Sequence, residues 1–416
     1  MIGDAIRGVV NPISSLLVLS DSTVVSGDGK GHVQFWDGDM GVLTSTCHQH
    51  VAEIYALEKS VDENHVFASG ADSRITCLQR VSATNAPLTD AEARDPLNMQ
   101  WVYTTAVRPH TRDVFALAIC NGQATVASTT AEESSGEYLL SGGMDCKLCV
   151  TSVDRCGFST SRPGIYLPTP ASGLAAVCIE REGIAHGLAL VRHRHHLDLW
   201  SFAGQESSRC SSTGGGQATA ESASTCALSV RIQLKGDCHL ACASLARLAV
   251  GSGGDTDPLL YLAVCSSGDG TRLWLIRSPS PTAVSTDTPG KVGIERVALP
   301  VPVGFAIATS CALSTDGHRL VLSATSGQVF LVDIGVKEGE GPEVGQRLGQ
   351  RQGHRVVVTL RHTFDHRDLT MTDAQGEEDG GLRGVGNRVA LSSDGMWLAI
   401  ADASAEGRVY VYDLDR

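Results

Sequence analysis

The densest cationic chemistry in the chain is Arg192-His193-Arg194-His195-His196. Imidazoles there could ligate a metal or, when protonated, join the arginines in holding a phosphate. Period-two alternation places His193 and His195 on the strand face opposite His196. A contact surface at a sheet edge is therefore the first reading, an RNA or partner phosphate at Arg192 and Arg194 the second, and a metal the third. Cys146 and Cys149 form a C-x-x-C, yet tetrahedral zinc needs four ligands and no second such pair follows. Cys238 and Cys242 share a strand face without further ligands near them in sequence. Core thiols are expected at all of these positions.

Gly27-x-Gly29-x-Gly31 and Gly251-Ser252-Gly253-Gly254 have the composition of phosphate cradles, but no Gly-x-x-x-x-Gly-Lys-Ser/Thr string or following helix accompanies them. Hairpin turns and a loop are expected instead. His110 and Asp145 could serve catalysis only beside a nucleophile, and the chain has no G-x-S-x-G elbow. A buried His–Asp pair that fixes local structure is the better expectation. Arg347, Arg351, Arg355, Arg361 and Arg367, with His354, His362 and His366 among them, are diluted by Glu338, Glu340 and Glu343. A solvated loop is expected there ahead of an RNA tether. Ser278-Pro279 and Ser280-Pro281 could be kinase sites, but such dipeptides are common. No catalytic, cofactor-binding or metal residue is assigned, and neither an enzyme nor a small-molecule substrate is expected.

The elements that must position these groups follow from one recurring phrase: an apolar run, small residues, a Gly/Asp turn, then a β-branched or aromatic run. Val24-Val25-Ser26-Gly27-Asp28 leads to Gly31-His32-Val33-Gln34-Phe35-Trp36-Asp37. Leu139 to Asp145 leads likewise to Leu148-Cys149-Val150, and Trp397 to Ala401 leads to Arg408 through Asp413. A four-stranded sheet repeated in this way cannot bury both faces alone and must stack on its neighbours around an axis. The chain is therefore read as an all-β propeller of about seven blade units, with no helical periodicity.

The final strands of these units are placed near Asp37, Val81, Val153, Phe202, Ile276, Ile334 and Leu414. Turns at 26–29, 69–72, 142–145 and 268–270 are read as joining third and fourth strands, with positive φ supplied by their small residues. Polar insertions at 82–98, 204–225, 278–293, 335–353 and 366–386 are expected to be mobile loops. Trp36 and Trp200 are expected to wedge between neighbouring blades.

Across 416 residues, 33 Lys plus Arg face 46 Asp plus Glu, a net charge of −13 that opposes nonspecific wrapping of nucleic acid. Any RNA contact must then be local, and protein partners are the default. Thirteen cysteines, an odd number, and the lack of an Asn-x-Ser/Thr sequon favour a reducing compartment. Asp4 and Arg7 precede only a short apolar run, 13–19, unlike a secretory signal. No stretch reaches the roughly 18 apolar residues of a membrane span, so no membrane association is expected.

The segment from Ser15 to Asp37 resembles the cirhin family, WD-repeat subunits of the small-subunit processome. Matches continue in the same order at Trp101-Val102, His110-Thr111-Arg112-Asp113-Val114, Leu140 to Asp145, His195 through Trp200, and Ala390 through Ala399. The family has two tandem propellers. By that resemblance residues 1–154 would supply the closing blades of a first propeller and 163–416 the opening blades of a second, a fragment lacking the first and last blades. A shortened chain closing its seven units into one ring is the other possibility. The resemblance implies a noncatalytic nucleolar scaffold that helps assemble the processome, supports rRNA transcription and assists pre-rRNA processing. Its partners would be other processome WD-repeat proteins and pre-rRNA, the latter through spots such as Arg192 and Arg194. The alternative is a WD-repeat adaptor elsewhere, such as a ubiquitin-ligase substrate receptor.

Overall fold

The computed structural model describes residues 11–82, 99–121, 137–154, 157–161, 164–181, 184–203, 226–233, 240–248, 259–267, 270–278, 293–300, 307–324, 326–338, 354–365, 388–401 and 409–415. Among them every regular element is a strand, and the strands form seven antiparallel sheets in which sequence neighbours pair. The sheets span 13–48, 54–107, 114–166, 173–233, 240–297, 308–365 and 388–413, and are numbered here as blades 1 to 7.

Each blade's first strand is innermost: Ile13–Val18, Ile54–Lys59, Val114–Asn121, Gly173–Arg181, Leu240–Arg247, Ala308–Leu313 and Arg388–Leu391. Each packs against the next, and Arg388–Leu391 packs against Ile13–Val18, which closes a seven-bladed ring. The boundary read near 154–163 falls between blades 3 and 4, and Val114–Asn121 packs on Gly173–Arg181 across it. The blades on either side thus belong to one ring.

Hydrophobic contact between flat sheets supplies the cohesion. Trp36, 6% exposed, packs with Val18 and Val24 of blade 1 and with Ala390 and Ala399 of blade 7, so it seals the closure of the ring. Trp200 lies between blades 3 and 4 among Leu140, Leu148 and Val191. Both wedges are where the sequence put them. Sheets approach so closely that a Cβ on Gly27 would lie 2.5 Å from Ser15 Oγ and 2.6 Å from Ile54 of the next blade. Glycine is required there by space, not by φ.

One register reading changes. Asp37, Val81, Val153, Phe202, Ile276 and Leu414 lie within two residues of the ends of third strands, Ile334 lies inside one that runs on to Glu338, and the Gly/Asp turns join second strands to third. In six blades a fourth strand follows: Val42–His48, Met99–Val107, Gly157–Ser161, Cys226–Gln233, Gly293–Val297 and His354–Asp365. These strands form the outer rim. Val42–His48 and Gly293–Val297 are mostly exposed, so their sequences lack the apolar run by which inner strands are recognised.

Positive φ falls late in the turns, at Gly31, Ser73, Cys146 and Gly270, two of which are not glycine. The insertion expected at 335–353 begins too early, since Gln328–Glu338 runs through it and pairs Glu338 with His354. Residues 83–98, 204–225, 279–292, 339–353 and 366–387, which hold most of the expected mobile loops, lie outside the described residues.

Candidate interaction site on the histidine-bearing face

Because strands alternate in direction, second-to-third turns and fourth-to-first connections emerge on one face of the ring. On that face the turn aspartates meet histidines from the connections. In blade 2, His50 Nδ1 lies 2.8 Å from Asp72 Oδ1, and its Nε2 lies 3.0 Å from Thr76 Oγ1. In blade 3, His110 Nδ1 lies 2.9 Å from Asp145 Oδ1 and its Nε2 2.9 Å from Ser141 Oγ. The Thr111 N–H donates to the second Asp145 oxygen at 3.1 Å.

Burial alone would raise the Asp72 and Asp145 carboxyls, but hydrogen bonds from the histidines and backbone N–H groups outweigh it and hold both below the usual range. The expected buried His110–Asp145 pair is present, and the hydroxyl that its other nitrogen meets, Ser141, is itself fully buried.

Blade 4 arranges the same kinds of group differently. His193 is fully buried in the turn itself, and its Nδ1 lies 2.8 Å from Thr169 Oγ1 in the connection. Its ring stacks on His196 at 4.3 Å and 17°. Both Nε2 atoms face Asp198, which is also fully buried: His193 Nε2 is 3.4 Å from Oδ2 and His196 Nε2 is 3.8 Å from Oδ1. Neither Nε2 makes a hydrogen bond among the described residues. Arg231, on the outer strand, donates Nε and Nη2 to the two Asp198 oxygens at 2.6 and 2.7 Å. Burial is the main cause that pushes both imidazoles below their ordinary value.

The expected separation of His193 from His196 onto opposite faces is therefore overturned. Residues 193–195 form the turn between Ile184–Arg192 and His196–Ala203, and alternation does not carry through a turn. Asp198 and Arg231 complete the cluster and were missed. Asp198 was legible, because positions two apart on a strand share a face. Arg231 was not, since only the pairing of Asp198 with Arg231 across strands brings it near.

The two arginines of the cationic string part company. Arg194 is exposed, whereas Arg192 reaches inward over Gly173, with Nε donating to Ser172 Oγ at 3.1 Å and Nη2 to the Ser172 carbonyl. There it lines an axial cavity of 270 Å³ together with Tyr55, Glu58, Phe115 and Arg388. Desolvation in this channel lowers the Arg192 guanidinium and pushes the Glu58 carboxyl up to about 7.

Cys149 is buried, its Sγ 3.7 Å from the Pro109 carbonyl, and burial pushes its thiol up to about 11. Cys242 is likewise buried against the Ala308 carbonyl at 3.5 Å. Arg361 is exposed on the rim and donates to the Leu414 carbonyl at 3.2 Å. Cys238, Gly251 to Gly254, Arg347, Arg351, Arg367, His366 and residues 279–281 of the Ser-Pro pairs lie outside the described residues, as do the side chains of Ser278, His354 and Arg355.

No protein-family model matches the chain. It is similar to U3 small nucleolar RNA-associated protein 4 homolog of Mus musculus, 24% identical over 403 residues, which cover 95% of this chain and 45% of that protein. The Saccharomyces cerevisiae U3 small nucleolar RNA-associated protein 4 is 23% identical over 321 residues, 77% of this chain and 33% of its own length. The Schizosaccharomyces pombe protein of that name is 30% identical over 147 residues, 35% of this chain and 17% of its own. The chain spans less than half the length of each of these curated relatives.

Proposed function

We propose that the chain is a noncatalytic propeller scaffold of ribosome biogenesis, acting in the nucleolus in assembly of the small-subunit processome and in pre-rRNA processing. The observation that carries this reading is the likeness to the mouse U3 small nucleolar RNA-associated protein, which runs through 95% of the chain rather than through a single repeat. Its name associates that protein with the U3 small nucleolar RNA, and the assignment carries the association to this chain.

The surface supports a scaffold. Exposed apolar side chains recur on the outer strands, at Val42, Leu43, Tyr103, Ile294 and Leu360, where open sheet edges and large side chains suit protein docking. Other processome WD-repeat proteins are the partners this reading assigns to the rim. For pre-rRNA, Arg194 is the member of the cationic string that solvent reaches, while Arg192 serves the axis.

The test is affinity purification of the tagged full chain, with sequencing of the bound RNA. Co-recovery of U3 small nucleolar RNA, rRNA precursor and processome WD-repeat subunits is expected. Recovery of a cullin-adaptor set without precursor RNA would overturn the proposal in favour of a ubiquitin-ligase substrate receptor.

A further inference from the structure

We propose that the fourth blade carries a transition-metal site fitted to Zn²⁺, with His193 Nε2, His196 Nε2 and one Asp198 carboxylate oxygen as its protein ligands. One donor atom from each residue lies within 4.8 Å of the others, and the two imidazole nitrogens approach different oxygens of the carboxylate, His193 Nε2 at 3.4 Å from Oδ2 and His196 Nε2 at 3.8 Å from Oδ1. Tetrahedral zinc with bonds of about 2.0–2.1 Å requires donors roughly 3.3 Å apart. Each imidazole must also hold the ion in its own ring plane, which the two rings, stacked 17° from parallel, do not do as placed. Binding therefore needs the His196 ring, whose side chain is 13% exposed, to turn out of the stack so that its Nε2 lone pair converges with that of His193.

Three further observations point to a cation. First, the two Nε2 atoms are buried and make no hydrogen bond, although both face the same carboxylate. Buried polar atoms are seldom left unsatisfied without a reason. Second, His193 Nδ1 is held by Thr169 at 2.8 Å, the outer contact that orients a ligating imidazole and directs its other nitrogen at the metal. Third, two imidazoles with one carboxylate suit zinc, whereas calcium and magnesium take sets of oxygens. Three protein ligands leave a fourth position for water or for a donor atom from a bound partner.

Arg231 sets the condition for binding. Its guanidinium neutralises Asp198, and its side chain is 41% exposed, with room to swing toward solvent. Zinc and Arg231 therefore compete for the same carboxylate. Removing the arginine's charge should strengthen metal binding, a response opposite to that of a site which merely uses Arg231 to hold the blade together.

The experiment titrates the full chain, stripped with a chelator, with Zn²⁺ against a chromophoric competitor. A parallel titration uses Co²⁺. The expected result is one tight equivalent in the parent chain, weakened about tenfold or more by His196→Ala and tightened by Arg231→Gln. Co²⁺ should give tetrahedral d–d bands, without a thiolate charge-transfer band, that disappear in His196→Ala. Circular dichroism checks that the variants fold, and His196→Gln replaces His196→Ala if the latter does not. Equal Zn²⁺ affinity in the folded His196 variant and the parent overturns the site, as does a thiolate spectrum unchanged by that substitution. Either failure leaves the assignment to ribosome biogenesis untouched, because that assignment rests on a different observation.

Discussion

Blades 2 and 3 and blade 4 solve one problem with the same parts in different places. In the first two, a histidine in the connection bridges a turn aspartate and a strand hydroxyl, so both ring nitrogens are occupied. In blade 4 the histidine has moved into the turn, the carboxylate onto the third strand and the hydroxyl into the connection. The tryptophans differ in parallel: Trp36 Nε1 in blade 1 donates to Ser26 Oγ at 3.1 Å, while Trp200 Nε1 in blade 4 has no partner among the described residues. A blade's face must bury polar groups in pairs, but which residue supplies each group is open. A permuted set can hold its blade and still leave donor atoms over for a ligand.

The largest expected effect tests the wedges. Trp36→Ala should cost roughly 3–5 kcal/mol in denaturant unfolding, from lost burial and the cavity left behind. A variant as stable as the parent would show that blade 7 does not close on blade 1 through this ring. The paired comparison is sharper: Trp36→Phe should cost about 1 kcal/mol more than Trp200→Phe, the value of the hydrogen bond only Trp36 makes.

Next come the histidines. His110→Phe keeps the bulk but strips two hydrogen bonds and leaves Asp145 without its partner, an expected loss of about 2 kcal/mol. His193→Phe in the metal-free chain should cost less than about 1 kcal/mol, because it removes one hydrogen bond and an unsatisfied nitrogen. Equal losses would erase the contrast between the blades. The acid limb gives an independent check, since a carboxyl held low when folded contributes stability that is full above its unfolded value of 3.8. That contribution disappears as pH falls through the lower folded value, so His110→Phe should flatten the parent's loss of stability in strong acid.

Across the axial channel the same two blades contrast again, with Glu58 from blade 2 opposing Arg192 from blade 4 in one cavity. Glu58 titrates near 7 in the fold against 4.5 as a free side chain. The folded state holds its proton where the unfolded chain has lost it, so stability falls as pH rises through that window. Glu58→Gln should therefore stabilise the chain at pH 8 relative to pH 4 by about 1–3 kcal/mol, measured by unfolding at both pH values. The smallest effect belongs to exposed Arg194: Arg194→Glu should shift stability by less than about 0.5 kcal/mol, while precursor RNA recovery tests its contact.

The blade repeat was legible because second strands are buried on both sides and most third strands nearly so, and they carry apolar residues on both faces, as at Val24–Asp28 and His32–Asp37. The fourth strand was not. Gly293–Val297 is exposed along nearly its whole length, and nothing in Gly-Ile-Glu-Arg-Val separates an edge strand from loop. Turn aspartates such as Asp145 were visible from their Gly/Asp setting, and their pairing with His110 was anticipated. The blade 4 cluster escaped because it depends on a turn that resets alternation and on a partner strand beyond a long insertion.

That edge strand has an architectural effect. Segments 83–98, 204–225, 279–292 and 339–353 each enter between a third strand and its fourth, so their anchors sit at the circumference, on the side away from the His–Asp pairs. Lengthening a loop adds closure entropy only logarithmically. Evolution can thus rewrite one side of the disc, residue by residue, without loosening the hub or disturbing the opposite side, and the two sides are free to acquire unrelated tenants.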